Sequence, residues 1–305
     1  MISIWFGAVT AGVTRNLPYP GKSPSADEVA AQVYYVNHSF AVKNLFIERK
    51  GKTHITVLAS KAEGKRVQTN TLGRFLNNDY DDGVVRSKDI AMFHSGKLSG
   101  TGMLIADFVD DAKSQSYAIY LPELKKVRRF EEPRHDDSWG DTDFTFGDVY
   151  LRKPGHEIHE LLGMTDLDDC LGAMKLSEKE KRRKYLKQLA PPQCEHKGKR
   201  VHRLKSSTKF KDWWYDYRIS YVDTKTFADY RTVYFKDGKK IKLIDRDWTS
   251  MGLEDPRGQY WRYWYGKNLV TNHETMVSVP EQFVSWNREA DPSLWTEESM
   301  MNMGR

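Results

Sequence analysis

From residue 40 onward, apolar residues recur at every second position in short runs broken by turn chemistry, the spacing of strands with one buried face. Val42 to Glu48, His54 to Ala59, Arg66 to Leu76 and Val84 to Phe93 are four such runs, separated by Lys50-Gly51-Lys52, Glu63-Gly64-Lys65 and Asp79-Tyr80-Asp81-Asp82-Gly83. Met103 to Phe108 and Tyr117 to Leu121 follow, flanking a polar turn of Asp110, Asp111, Lys113 and Ser114. Residues 40 to 130 therefore predict a long antiparallel meander. Gly100 and Gly102 open the first strand of its last hairpin, where a missing Cβ permits a close backbone approach. Pro122 ends the second, because proline donates nothing to a ladder.

A second β portion begins near Lys199. Trp213, Tyr215, Tyr217, Ile219 and Tyr221 alternate with Trp214, Asp216, Arg218, Ser220 and Val222, which predicts a strand with an aromatic face. Phe227 to Phe235, the turn Asp237-Gly238, and Lys240 to Trp248 predict a hairpin, and Tyr260 to Tyr265, Gly266-Lys267-Asn268, and Leu269 to Val279 predict another. Helix is predicted in two places. Ser25 caps a helix with Asp27 and Glu28 in its first turn and Val29, Val33 and Val36 on one face, running to about Asn37. Between Arg152 and Cys194 the β pattern stops, and Ser177 with Glu180 forms a capping box for a densely basic helix over Leu176 to Ala190, ended by Pro191-Pro192. A solvated face is the preferred reading of its Lys179, Lys181, Arg182, Arg183, Lys184 and Lys187; contact with an anionic membrane surface or partner is the functional one.

Composition narrows this picture in three ways. At 305 residues the chain can bury a core, and with 30% charged residues no run approaches the roughly 18 apolar residues of a spanning helix. Aromatic residues are 12%, which points to a β-rich core or a lined cavity. The net charge of +6 is compatible with acidic partners, but the basic residues are dispersed and no nucleic-acid module signature is present. Cys170 and Cys194 fit either one disulfide in an oxidising compartment or two free thiols. Residues 2 to 13 read as a truncated signal segment without its charged start, or as a docked N-terminus, and Leu17 to Pro24 as a linker.

Three blocks in order carry a family resemblance: Gly100, Thr101, Gly102 and Leu104; Tyr120, Leu121, Pro122, Leu124, Val127, Arg128 and Arg129; and Gly140, Asp143, Phe144, Phe146 and Asp148. This pattern resembles the outer membrane lipoprotein-sorting protein family, the LolA-like periplasmic carriers. Asp237-Gly238-Lys239 and the ending Asp291 to Ser299 look like the family's as well, so the resemblance covers roughly residues 25 to 300. It implies a mainly β fold, a curved antiparallel sheet or incomplete β-barrel lidded by helices on its concave side. Residues 1–24 would be signal segment and linker, 25–300 one domain with a helical, disulfide-closed insertion at about 152–195, and 301–305 a tail. It further implies a periplasmic location, a disulfide between Cys170 and Cys194, and a partner transporter of the resistance-nodulation-division type.

Catalytic chemistry has weak support. His156 and His159 stand three apart, one residue short of the zinc-protease spacing. The acidic pairs Asp81/Asp82, Asp110/Asp111, Asp136/Asp137 and Asp168/Asp169 all fall in turns or loops, and no nucleophile elbow or phosphate-cradling loop is present. No enzyme activity, cofactor or metal is expected. The positive expectation is a carrier for lipid, lipoprotein acyl chains or another hydrophobic cargo, with peripheral membrane contact and no nucleic acid. Its cavity would be lined by Met103, Ile105, Phe108, Ile119, Phe144, Trp213, Tyr215, Tyr217, Ile219, Tyr221 and Trp261, a choice of face that a one-residue slip inverts. Arg128 and Arg129 would meet a head group or pair with Asp143 or Asp148. The alternatives are a metal-dependent hydrolase built on His156 and His159, and a cargo-free adaptor subunit of a membrane transporter.

Overall fold

The alternating runs form one antiparallel sheet in the computed structural model, which describes residues 15–51 and 55–303. The signal-segment reading of residues 2–13 lies outside the described residues. The first half contains β1 (Asn44–Ile47), β2 (Thr56–Lys61), β3 (Gln68–Asn77), β4 (Val85–Phe93), β5 (Gly102–Phe108), β6 (Ser116–Leu121) and β7 (Lys126–Phe130). The second contains β8 (Glu157–Asp166), β9 (Arg200–Thr208), β10 (Tyr217–Asp223), β11 (Asp229–Lys236), β12 (Lys239–Ser250), β13 (Gln259–Asn268), β14 (Glu274–Ser278) and β15 (Val284–Trp286). The order β7-β6-β5-β4-β3-β2-β14-β13-β12-β11-β10-β9-β8 leaves β7 and β8 as unpaired ends, so the barrel is incomplete.

That order has a consequence for the middle of the chain. Residues 131–156 must run from one end of the sheet to the other, and they cross its inner face. Along β12, β13, β14 and β2, Ile244, Trp264, Val277 and Leu58 pack with Trp139 and Phe144 of this crossover. Phe144 fits because Gly266 of β13 has no Cβ: one built there would lie 2.8 Å from the Phe144 ring. Helix α1 (Ala26–Asn37), begun by the expected Ser25–Glu28 capping box, sets Val29, Ala30 and Val36 among Leu204 and Val222 of the same face. The alternate residues Ala59, Tyr263, Tyr265 and Met276 face outward and are covered by Leu167, Leu171, Met174 and Leu186. Helix α3 (Glu297–Met303) covers β4, β5 and β6 on the outside, where Gly102 lets Met300 lie against the strand.

Several boundaries differ from expectation, each for a local reason. β1 leaves the meander: it pairs with the C-terminal half of the ten-residue β3, while β2 takes the N-terminal half. The basic cluster Lys126 to Arg129 is an edge strand, and charged residues are a common means of protecting such edges. The expected helical insertion at 152–195 begins with a ten-residue edge strand, β8, whose pattern is interrupted by a bulge between Leu161 and Met164 with Gly163 at φ 91°. The predicted basic helix shrinks to α2 (Glu178–Lys181) and a turn at Leu186–Gln188. Its capping box forms, but a longer helix would set Lys179 against Arg183 and Arg183 against Lys187, like charges four residues apart. Glu180 also turns to Lys61, and Arg183 to the Val67 carbonyl. Gly266 to Asn268 are strand, the turn following at 269–273, and residues 301–303 continue α3 instead of forming a tail.

Cys170 and Cys194 are bonded to each other and close the outer segment. Closing a loop of this length contributes on the order of 3 kcal/mol, so Cys170→Ser with Cys194→Ser should lower the urea midpoint accordingly and leave the far-ultraviolet circular dichroism unchanged. Gly266→Val should cost about 1–3 kcal/mol in the same measurement, because the new side chain displaces the Phe144 ring.

Candidate functional site

Beneath α1 and the crossover, the inner face carries a polar chamber and an apolar one. The polar chamber is built where residues 147–151 make a wide helical turn that directs Asp148 downward and is followed by Arg152. The Asp148 carboxylate, with a fully buried side chain, accepts from Lys242 Nζ at 2.5 Å, Arg152 at 2.9 Å and the Tyr234 hydroxyl. Beside it, Glu157 at the start of β8 accepts from Arg218 at 2.5 and 3.0 Å and from the Tyr215 hydroxyl at 3.1 Å. A third pair, Arg246 with Asp229, is tied to α1 through Asn37, which donates to Asp229 at 3.0 Å. Burial alone would raise the Asp148 carboxyl, but the Lys242 and Arg152 cations outweigh it and hold it far below the usual range. Burial likewise opposes, and Arg218 overcomes, at Glu157, which is held down to about 2.

The apolar chamber lies next to it, under the same helix end. Ile47, Leu72, Ala91, Trp139, Phe144, Trp261, Trp264 and Val277 line it. Asn37, His38, Val149 and Tyr150 belong to the walls of both chambers, so the two form one amphipathic recess. Each holds a cavity of about 60 Å³, room for a few water molecules. Burial pushes the His38 imidazole down to about 4, so it is neutral at pH 7.

Of the residues singled out from the sequence, Phe144 and Trp261 line the apolar chamber, and Tyr215 joins the polar one through Glu157. Met103 and Ile105 share the inner face but pack with Tyr117, Phe146, Tyr150 and Leu151. Ile119, opposite Met103 in the ladder, is half-buried there. Tyr217, Ile219 and Tyr221 do not line either chamber: β10 is turned the other way, with Arg218, Ser220 and Val222 inward. Tyr217 stacks on Phe235 instead, with centroids 4.8 Å apart, and Tyr221 borders a groove with Arg231 and Lys240. The expected strand from Trp213 starts only at Tyr217, which places Trp213 in a loop against Phe210 and His135. Phe108 lies under Lys113 in the β5–β6 turn.

The expected charge pairings are replaced as well. Arg129 pairs with Glu297 of α3, Arg128 is exposed, and Asp143 accepts from Thr275 and contacts His273 at 2.7 Å. His159 lies on strand β8 with one ring nitrogen 2.9 Å from Ser206 Oγ and the other 3.0 Å from the Pro154 carbonyl. His156 packs against His135 and Phe210. Among the described residues no group of three or more His, Cys, Asp or Glu side chains is placed to hold a metal ion. Arg152, Glu157, Arg218, Asp229, Lys242 and Arg246 were not expected as site residues. Their one signal in the sequence is charge within strands, as in Ile244-Asp245-Arg246-Asp247-Trp248, where solvated positions would be costly to bury.

An open, strongly curved sheet with a helix and a crossover over its inner recess defines a LolA-like incomplete barrel. The chain is similar in structure to a DUF1329 family protein from Desulfovibrio piger, with TM-score 0.65, 13% identity, and 91% of this chain and 100% of that one covered. It is equally similar to a domain from Vibrio parahaemolyticus named for outer membrane lipoprotein sorting: TM-score 0.65, 11% identity, 90% and 98% covered. A LolA superfamily protein from Nitrosomonas europaea matches at TM-score 0.54 and 10% identity, with 91% and 100% covered. No curated protein matches the chain. A family model described as "Uncharacterized protein" matches residues 86–302, and the chain belongs to the family it describes. Among the described residues no helix is long and apolar enough to cross a membrane.

Removing one member of the ion cluster leaves the others buried without compensation. Asp148→Ala should cost about 3–5 kcal/mol in urea denaturation, and Asp148→Asn with Lys242→Met much less. Acid should act in two steps. His38 and His156, both pushed down to about 4 by burial, bind protons more weakly folded than unfolded. Their contribution is complete above about pH 6.5 and is lost as pH falls toward 4. That of Glu157 is complete above about pH 4.5 and is lost toward 2, so thermal unfolding midpoints should drop across both windows.

Proposed function

We propose that this protein is a periplasmic, non-enzymatic carrier that takes lipid, lipoprotein acyl chains or another hydrophobic cargo into its inner recess and passes it between membrane-associated partners. The observation that supports this reading is the apolar chamber with its three tryptophans, Trp139, Trp261 and Trp264, beneath α1 and the crossover. Each methylene withdrawn from water there contributes about 0.8 kcal/mol. A chamber of about 60 Å³ is too small for a long acyl chain, so loading requires α1 or the crossover to move outward. The polar wall faces that same opening, which gives the two parts that would separate an ionic contact surface of their own. The disulfide accords with an oxidising compartment. A partner transporter of the resistance-nodulation-division type rests on the family resemblance alone.

Extraction of detergent-free purified protein with organic solvent, followed by mass spectrometry, should yield lipid at near-stoichiometric amount. Adding a long-chain fatty acid to stripped protein should change the fluorescence of the chamber tryptophans. Protein that carries no lipid and shows no such change would contradict the carrier reading and favour a cargo-free adaptor.

A further inference from the structure

The two chambers meet at an arginine whose bonding is incomplete. Arg246 of β12 is 4% exposed and pairs with Asp229 through Nη1. Its guanidinium carbon lies 4.1 Å from the centre of the Trp264 ring, the residue opposite it in the ladder. Arg246 belongs to the polar chamber's wall and Trp264 to the apolar chamber's, so this contact is the boundary between them. Arg246 Nε and Trp264 Nε1 are both buried and have no hydrogen-bond partner among the described residues, and so is the Thr56 hydroxyl in the apolar wall. All three atoms carry a hydrogen to donate. A buried donor left unmade is costly, and a guanidinium fork is shaped to hold two oxygens of one oxyanion.

A neutral hydrocarbon cargo would leave all three donors unmade.

We propose that the cargo is a single-chain amphiphile with an oxyanion head, a carboxylate or a phosphate. Its head is received by Arg246 and the Trp264 N–H at the boundary, and its tail lies in the chamber lined by Leu72, Trp261, Trp264 and Val277. This inference rests on the carrier reading and gives its cargo a chemical class.

Four probes with the same dodecyl tail separate the cases: tridecanoate, dodecyl phosphate, dodecanol and dodecyltrimethylammonium, titrated into stripped protein by calorimetry and tryptophan fluorescence. The wild type should bind tridecanoate or dodecyl phosphate at least about tenfold more tightly than dodecanol, and the cation most weakly. Whichever anion binds better tells carboxylate from phosphate. Arg246→Gln combined with Asp229→Asn removes both charges together and should reduce the preference for the anion over dodecanol to within about threefold. Equal wild-type affinity for the anions and dodecanol would overturn the headgroup assignment while leaving the carrier reading intact. So would a neutral pair that keeps the preference. Absence of binding by all four would overturn the carrier reading itself. Should the double variant fail to fold, the wild-type series still decides, and Arg246→Lys, which keeps the charge but not the fork, should lose part of the preference.

Discussion

The contact between Asp148 and the Lys242 and Arg152 cations fastens the crossover to the second half of the sheet. Asp148 and Arg152 belong to the crossover, Lys242 to the centre of the second half-sheet. The crossover has little regular structure of its own. Without a specific anchor its apolar residues would meet the sheet in several registers of similar energy. A buried ion pair is a poor source of net stability, since desolvation offsets most of the attraction. What it does is penalise every arrangement in which one charge is left alone. Glu157 with Arg218 repeats the device at the start of β8, where the chain enters the far edge of the sheet.

This placement explains why the inner face is mixed. A closed barrel of about eight strands is just narrow enough for its own side chains to fill, and a sheet of thirteen curls too widely for that. Here the ends β7 and β8 do not pair, and the opening is spanned by a helix and an irregular strap that bring backbone polar groups and charges inside. The apolar residues collect in the middle, between the arginine pair Arg74–Asp89 on one side and the Asp148 cluster on the other. An amphiphile suits such a recess better than plain hydrocarbon does.

The outer face is occupied differently. Residues 167–194, closed by the disulfide, cover the central strands, and α3 covers β4 to β6. Gly172 donates to Asp245, and Arg231 spans Asp245, Asp169 and the Cys170 carbonyl, so the segment is bonded to the sheet throughout. With the outside fixed in this way, the inner side is where the fold can change shape.

Much of the architecture was legible in the chain alone. Period-two alternation with Gly and Asp turns marks most strands, because a half-buried strand leaves that signature whatever it packs against. The Ser25 and Ser177 capping boxes are local bonds and form as the residues indicate. β8 was not legible: an exposed edge strand has no buried face to enforce alternation. Nor was the length of the basic helix, because the partners that draw Glu180 and Arg183 away, Lys61 and Val67, lie more than a hundred residues earlier. The site divides in the same way. Phe144 and Trp261 are aromatic and were found as such, but Arg218 and Arg246 look like solvated strand residues until the sheet curls. Which face of β10 turns inward follows from its register with β9 and β11, and only tertiary structure sets that, since both faces of the strand carry residues that can be buried.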